Sequence, residues 1–329
     1  MNLAPYIHAM GRGPGRARHL EPAEAEEAMR LILSGQADPH AIGALLMLMR
    51  YRGETPAEIA GFVRAVRATV PALPAVDLDW PSYAAGRTRG LPWFLLAARL
   101  VAKSGVRVLL HGWNAYQSDG ADVRSALAHA GITQAATPDD AARLLDRDNI
   151  AYLPLESFAP GALALLRLRE VLGLRSCINT VCRVLNPAAA PAAVQGVFHP
   201  PYRTLQQAAG EILGQQSLCI LKGGGGEFER NPSKDVTLFR LQSGDPLETV
   251  LPSLLPAPRK LADATDACAR LQDLWTGRLQ DEFAHAIVTG TAAAALIALG
   301  HKPATADALA DALWAGRMHS HPAKTLQGA

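Results

Sequence analysis

The sequence predicts an α/β fold: a small N-terminal helical domain joined to a larger α/β domain with a mainly parallel central sheet. Three observations predict it. The first 70 residues keep a helical apolar period, a proline-containing stretch follows at 70–81, and beyond it short apolar strands alternate with helical segments. The expected division is 1–72 for the helical domain and 73–329 for the α/β domain, with helices near 160–190 joining the former. At 329 residues, 49% hydrophobic and 19% charged, the chain can bury a full core, and disorder is expected only at the termini.

Taken in order, Asp38 and Pro39 form an N-cap and N1 pair, and Ile42, Leu45, Leu46 and Met49 then keep helical spacing until Gly53. Thr55-Pro56-Ala57-Glu58 is a capping box with proline at N1, and it opens a helix whose Ile59, Phe62, Val63 and Val66 form one stripe. Residues 70–81 read as a linker. Strands are expected at 106–110, 150–155, 193–198, 217–222 and 236–241, and helices at 121–130 and 161–172 end on Gly131 and Gly173, which suit left-handed C-caps. Residues 188–193 and 252–258 read as loops. The Ala-rich run 287–299 is too short to span about 30 Å of hydrocarbon and reads as a core helix, so no membrane segment is expected.

The formal net charge is only +2, so nucleic-acid binding gains no support from total charge and depends on how the cations are grouped. They are grouped unevenly: between residues 80 and 110 every charged residue is basic (Arg87, Arg89, Arg99, Lys103, Arg107), while acids gather at 21–27. Cys177, Cys182, Cys219 and Cys268 show no C-x-x-C spacing and no secretory signal precedes them. Free thiols in a reducing cytoplasm are expected, not a disulfide framework.

Several motifs carry two readings each. Gly86 and Gly90, in Ser82-Tyr83-Ala84-Ala85-Gly86-Arg87-Thr88-Arg89-Gly90, let the backbone turn tightly toward phosphate, while Arg87 and Arg89 crowd a small ligand and suit a larger anion. Arg12, Arg16 and Arg18 form a basic loop that either tracks a phosphate backbone or simply connects. The run Gly223 to Gly226 either presents N–H groups to phosphate or makes a tight turn, and it lacks the G-K-[ST] ending of a P-loop. Glu227 and Glu229 either hold a cation or pair with Lys222, Arg230 and Lys234. His111 is either a loop ligand or a polar core residue. The histidines show no H-E-x-x-H or comparable ligand spacing, so no metal site is expected.

In order along residues 20–315, several segments resemble glycosyl transferase family 3, the anthranilate phosphoribosyltransferases. These are Gly53-Glu54-Thr55-Pro56-Ala57-Glu58-Ile59-Ala60; Gly120-Ala121-Asp122-Val123 with Ala126-Leu127; and Leu172-Gly173-Leu174-Arg175-Ser176 through Asn179 to Leu185-Asn186-Pro187. The resemblance implies a phosphoribosyltransferase-like fold related to nucleoside phosphorylases. It also exposes departures. The family's G-T-G-G-D-G diphosphate loop is replaced by residues 84–90, and its N-x-S-T by Leu91-Pro92-Trp93-Phe94. Its K-H-G-N-R becomes Lys103-Ser104-Gly105-Val106-Arg107, and its Asp-Glu pair for Mg²⁺ falls on Phe228-Glu229. Diphosphate departure needs Mg²⁺ and aligned donors, so anthranilate transfer is expected to be lost and no catalytic residue is assigned.

Arg87, Arg89, Gly223 to Gly226 and Glu227-Phe228-Glu229-Arg230-Asn231-Pro232 together resemble a second, YbiB-type branch, which implies a homodimer formed through the helical domain that binds DNA or RNA phosphates with little sequence preference. The contacts expected are Arg16, Arg87, Arg89, Lys103, Arg107, Arg169, Lys222 and Arg230, with Gly86, Gly90, Gly223 and Gly224 at phosphate. Arg169 is included because it aligns with the arginine facing the anthranilate carboxylate. No cofactor is expected on this reading; Mg²⁺ through Glu227 or Glu229 belongs to the alternative, a working phosphoribosyltransferase with an unidentified acceptor.

Overall fold

A computed structural model describes residues 2–13, 15–83, 90–113, 122–260 and 267–319. The chain begins with four helices, α1 (Ala4–Gly11), α2 (Pro22–Leu33), α3 (Pro39–Arg52) and α4 (Pro56–Arg67). Their starts are fixed by side chains. Asp38 accepts from the backbone N–H groups of His40 and Ala41, and Thr55 and Glu58 exchange bonds as a capping box. Glu58 is fully buried and its second oxygen accepts from Leu20 N at 2.9 Å, tying the entry of α2 to that of α4. At the crossing of these two helices a Cβ on Gly61 would fall 2.5 Å from the Pro22 carbonyl oxygen, so only glycine lets the axes come so close.

The larger unit runs β1 (Leu78–Ser82), α5 (Phe94–Ala102), β2 (Val108–Gly112), α6 (Val123–Ala130), α7 (Pro138–Asp148), β3 (Ile150–Pro154), α8 (Pro160–Arg167), α9 (Arg169–Leu172), α10 (Ile178–Val184), β4 (Ala192–Val197), α11 (Tyr202–Ile212), β5 (Ser217–Lys222), β6 (Val236–Gln242), β7 (Asp245–Leu251), α12 (Ala269–Thr276), α13 (Glu282–Ala298) and α14 (Pro303–Gly316). The strands form one sheet of order β3-β2-β1-β4-β5-β6-β7, parallel through β5 and antiparallel at the last two. This is the predicted class, a helical unit beside a mainly parallel sheet. Successive strand residues face opposite layers. Leu110 and Val194 pack with α5, α12, α13 and α14, Leu109 and Leu153 face the N-terminal bundle, and Val197 and Ile220 form a third apolar cluster on that second side.

Two differences from the sequence reading have physical causes. Residues 70–81 include the start of β1, a central strand, although Pro81 argues against a strand there. β1 tolerates the proline because its ladder to β4 is already finished at Asp79. The helix expected at 161–172 is two helices, α8 and the one-turn α9. Helices α8 and α10 share the bundle's apolar cluster: a Cβ on Gly161 would lie 2.9 Å from Leu33, and Cys177 Sγ sits 3.9 Å from Met49 Sδ. α13 is buried along almost its whole length, as a core helix, and no described helix is long and apolar enough to cross a membrane. The four cysteines are free thiols, and burial pushes those of Cys182 and Cys219 up to about 12.

Candidate functional site

The C-terminal ends of β1, β2, β3, β4 and β5 open on one edge of the sheet, where ligands of parallel α/β folds gather. Four pieces of chain converge there: Ser82-Tyr83 at the end of β1, Phe198 after β4, the Gly223–Gly226 turn after β5, and α10 from the bundle side. Arg183 of α10 donates to the Tyr83 carbonyl at 2.8 Å, and Asn179, one turn earlier, donates to the same oxygen at 3.4 Å. Gly226, at φ 93°, lies against this guanidinium; a Cβ there would fall 2.8 Å from its Nη2. Gly223 and Gly196 are held as tightly, since a Cβ on either would sit within 2.1 Å of a Glu227 backbone atom. Gly223 and Gly226 are therefore close-packed positions of this turn with no room for a side chain.

The two acids after that turn are buried and turned inward. Ser82 Oγ donates to Glu227 Oε1 at 3.1 Å, and Phe94 N, at the first residue of α5, donates to Glu229 Oε2 at 3.0 Å. The positive end of α5 is thus satisfied by the chain's own carboxylate, with Leu91 and Trp93 packed beside it in the core. Phe228 between the acids meets Trp80 edge to face at 5.4 Å. Among the described residues no cluster of three or more His, Cys, Asp or Glu side chains could hold a metal ion.

Below the floor lies a polar chain without access to solvent. His111 Nε2 is 3.0 Å from Asp79 Oδ1 and its Nδ1 is 2.9 Å from the Tyr83 hydroxyl, with all three side chains buried. An imidazole donating to Asp79 can accept from Tyr83, so the chain is internally matched. Of the two readings of His111, the structure gives the polar core residue.

On the bundle side of the cleft, positive charge accumulates. Burial lowers the Arg175 guanidinium to about 10, and the neighbouring cations Arg169, Arg183 and Arg50 push the same way. Burial likewise lowers Arg183, against the attraction of Glu227. α3 reaches this group because its Gly43 lies against Leu172 of α9. Arg175, in the turn between α9 and α10, is therefore within electrostatic reach of Arg50 of α3, Arg169 of α9 and Arg183 of α10.

The residues singled out from sequence fall into separate places. Lys222 is exposed at the end of β5, with Gly223 and Gly224 beside it in the cleft, and Arg169 belongs to the arginine group. Gly90 is half-buried at φ 81°, while Gly86, Arg87 and Arg89 lie outside the described residues. Arg16 is exposed in the loop between α1 and α2. Lys103 and Arg107 sit between α5 and β2, at the opposite edge of the sheet, and Arg107 is bound to Asp146 at 2.8 Å and to the Ala75 carbonyl. Arg230 corrects an expectation: its guanidinium is fully buried, donating to Asp307 and to the Pro252 carbonyl, and it has no face to offer a phosphate. Arg50, Arg175, Arg183 and Asn179 were not foreseen as site residues. The one signal for Arg183 was a lone cation in the apolar run of α10.

Residues 4–70 match the helical bundle domain of the glycosyl transferase family, and residues 94–315 match its a/b domain. The chain is 32% identical over 308 residues to the anthranilate phosphoribosyltransferase of Moorella thermoacetica, covering 90% of this chain and 88% of that one. It is also 32% identical over 194 residues to that of Desulfitobacterium hafniense, where the match spans 57% of the relative. The crystal structure of the Thermus thermophilus enzyme superposes with a TM-score of 0.80 at 26% identity, covering 95% and 94% of the two chains. The Saccharomyces cerevisiae enzyme in complex with PRPP and Mg gives 0.73 at 15% identity, covering 96% and 95%, which shows the shared fold.

Proposed function

Since this chain belongs to the glycosyl transferase family whose helical bundle and a/b domains it carries, we propose that it is a YbiB-type member: a nucleic-acid-binding homodimer that has given up anthranilate transfer. The observation that carries this reading is the pairing of Glu229 with the N-terminus of α5. In the resemblance drawn from sequence, the start of this helix carries the segment that follows the diphosphate loop, where Leu91-Pro92-Trp93-Phe94 replaces the family's N-x-S-T. Here a buried carboxylate satisfies the helix end, and a diphosphate brought to it would meet like charge in a medium that screens poorly. The arginine group of Arg50, Arg169, Arg175 and Arg183 then supports an anion of another kind, one that can meet several cations in turn. DNA or RNA phosphates fit this description, and contacts to them carry no base information, so low sequence preference follows. Tyr51, Val171 and Leu174 leave large apolar surface exposed on α3 and around α9, which supports self-association through the helical side.

Magnesium fits poorly. Glu229 caps α5 and Glu227 accepts from Ser82, so the two acids nearest the cleft are aimed at different internal partners. The alternative reading, a phosphoribosyltransferase with an unidentified acceptor, is favoured by one observation: relatives bearing that enzyme name align over most of the chain.

Titrating two unrelated labelled duplexes against rising salt separates these readings. Similar affinities are expected, with log K falling linearly in log salt by about 0.9 per phosphate neutralised. Binding that ignores salt, or none at low salt, overturns the proposal. Release of pyrophosphate from phosphoribosyl pyrophosphate in the presence of anthranilate overturns it equally, and release with another acceptor establishes the alternative.

A further inference from the structure

The mouth of the cleft carries an aromatic ring that the core does not use. Phe198 follows the last residue of β4 and is 41% exposed, and its ring meets His199 edge to face at 4.8 Å. Its neighbours are those of the candidate site. The register of β4 on β5 sets Val197 opposite Lys222, which places Phe198 beside the start of the glycine turn. A Cβ on Gly226 would lie 3.3 Å from Phe198 N and 2.8 Å from Arg183 Nη2. An apolar face, an exposed lysine and a buried arginine therefore meet around one tight turn.

A phenyl ring has no polar atom with which to read a base edge or hold a phosphate. It offers a flat apolar face, and leaving that face in water forfeits the free energy of burying it. Beside cations, such a face suits a base whose own face is bare, as in the stacking platforms of single-strand binders. Base faces within a duplex are covered by their neighbours. We infer that the strand entering this cleft is unpaired: a base stacks on Phe198 while the adjoining phosphates meet Lys222, and Arg183 adds positive potential from below. This inference rests on the nucleic-acid reading above.

The test compares a labelled 20-nucleotide thymidine strand with a 20-base-pair duplex by fluorescence anisotropy, for the native chain and for Phe198→Ala, Phe198→Leu and Phe198→Trp. The native chain is expected to prefer the single strand. Alanine and leucine should each weaken single-strand binding about tenfold and duplex binding far less, while tryptophan should preserve both. Leucine keeps the apolar volume, so its loss separates stacking from filled space. If all three variants match the native chain, or lose strand and duplex alike, stacking on Phe198 is overturned while nucleic-acid binding stands. If the native chain binds neither polymer at low salt, the nucleic-acid reading falls and this inference with it. Thymidine monophosphate that displaces the strand at equal nucleotide concentration also overturns it, because a lone nucleotide is then the ligand.

Discussion

Glu58 shows how much one side chain can hold. Its carboxylate accepts from Thr55 N and Thr55 Oγ1 through one oxygen and from Leu20 N through the other, without solvent access. Glu58→Ala leaves buried donors unsatisfied at the starts of two helices, so unfolding in urea should show a loss of about 2–3 kcal/mol. His285 makes a different kind of prediction. Packed 5.1 Å from Trp314, it has its pKa lowered mainly by burial, with Arg317 acting the same way against Asp311 and Glu282. The unfolded state then binds the proton more readily, so stability falls as pH drops from about 6.5 through the lower folded value. Between pH 7.5 and 5 the native melting temperature should drop further than that of His285→Gln, as read by calorimetry.

At the scale of elements, the crossing of α2 and α4 sets two effects against each other. Alanine is favoured over glycine within a helix by about 1 kcal/mol. At position 61, however, its methyl would meet the Pro22 carbonyl oxygen at 2.5 Å and Ala25 Cβ at 2.8 Å. Overpacking of this kind costs about 1–3 kcal/mol, and three clashes with backbone or near-backbone atoms, Glu26 N at 2.8 Å being the third, place it at the upper end. Gly61→Ala should therefore lower stability in chemical denaturation despite its better propensity. The same scale shows what sequence could reveal. α3 and α4 were legible from Asp38-Pro39 and Thr55-Pro56-Ala57-Glu58 because capping is local chemistry. β4 and β5 were legible from apolar runs of strand length. β1 was not, because Pro81 is acceptable only where the ladder to β4, whose paired residues lie 114 positions on, has already ended at Asp79. β2 begins at Val108, two residues later than expected, because Arg107 is occupied by Asp77, Ala75 and Asp146.

Over the whole molecule, the candidate cleft was half legible. Lys222 ends a strand and the glycine run follows it, so both could be seen as a site, but the arginine group joins residues 50, 169, 175 and 183, which no local pattern connects. A double change, Arg50→Ala with Arg175→Ala, should weaken binding of unrelated duplexes about equally and flatten the salt dependence by about one power of salt per arginine; anisotropy at several salt concentrations checks both. The order of the sheet has one more consequence. Its outermost strand, β7, carries Asp245, Pro246 and Glu248 with exposed side chains. Proline withholds a donor and the acids repel a second copy, so this border resists the strand-by-strand stacking that leads to aggregates and fibrils. Crowded copies of the chain therefore have little opportunity to polymerise through β7.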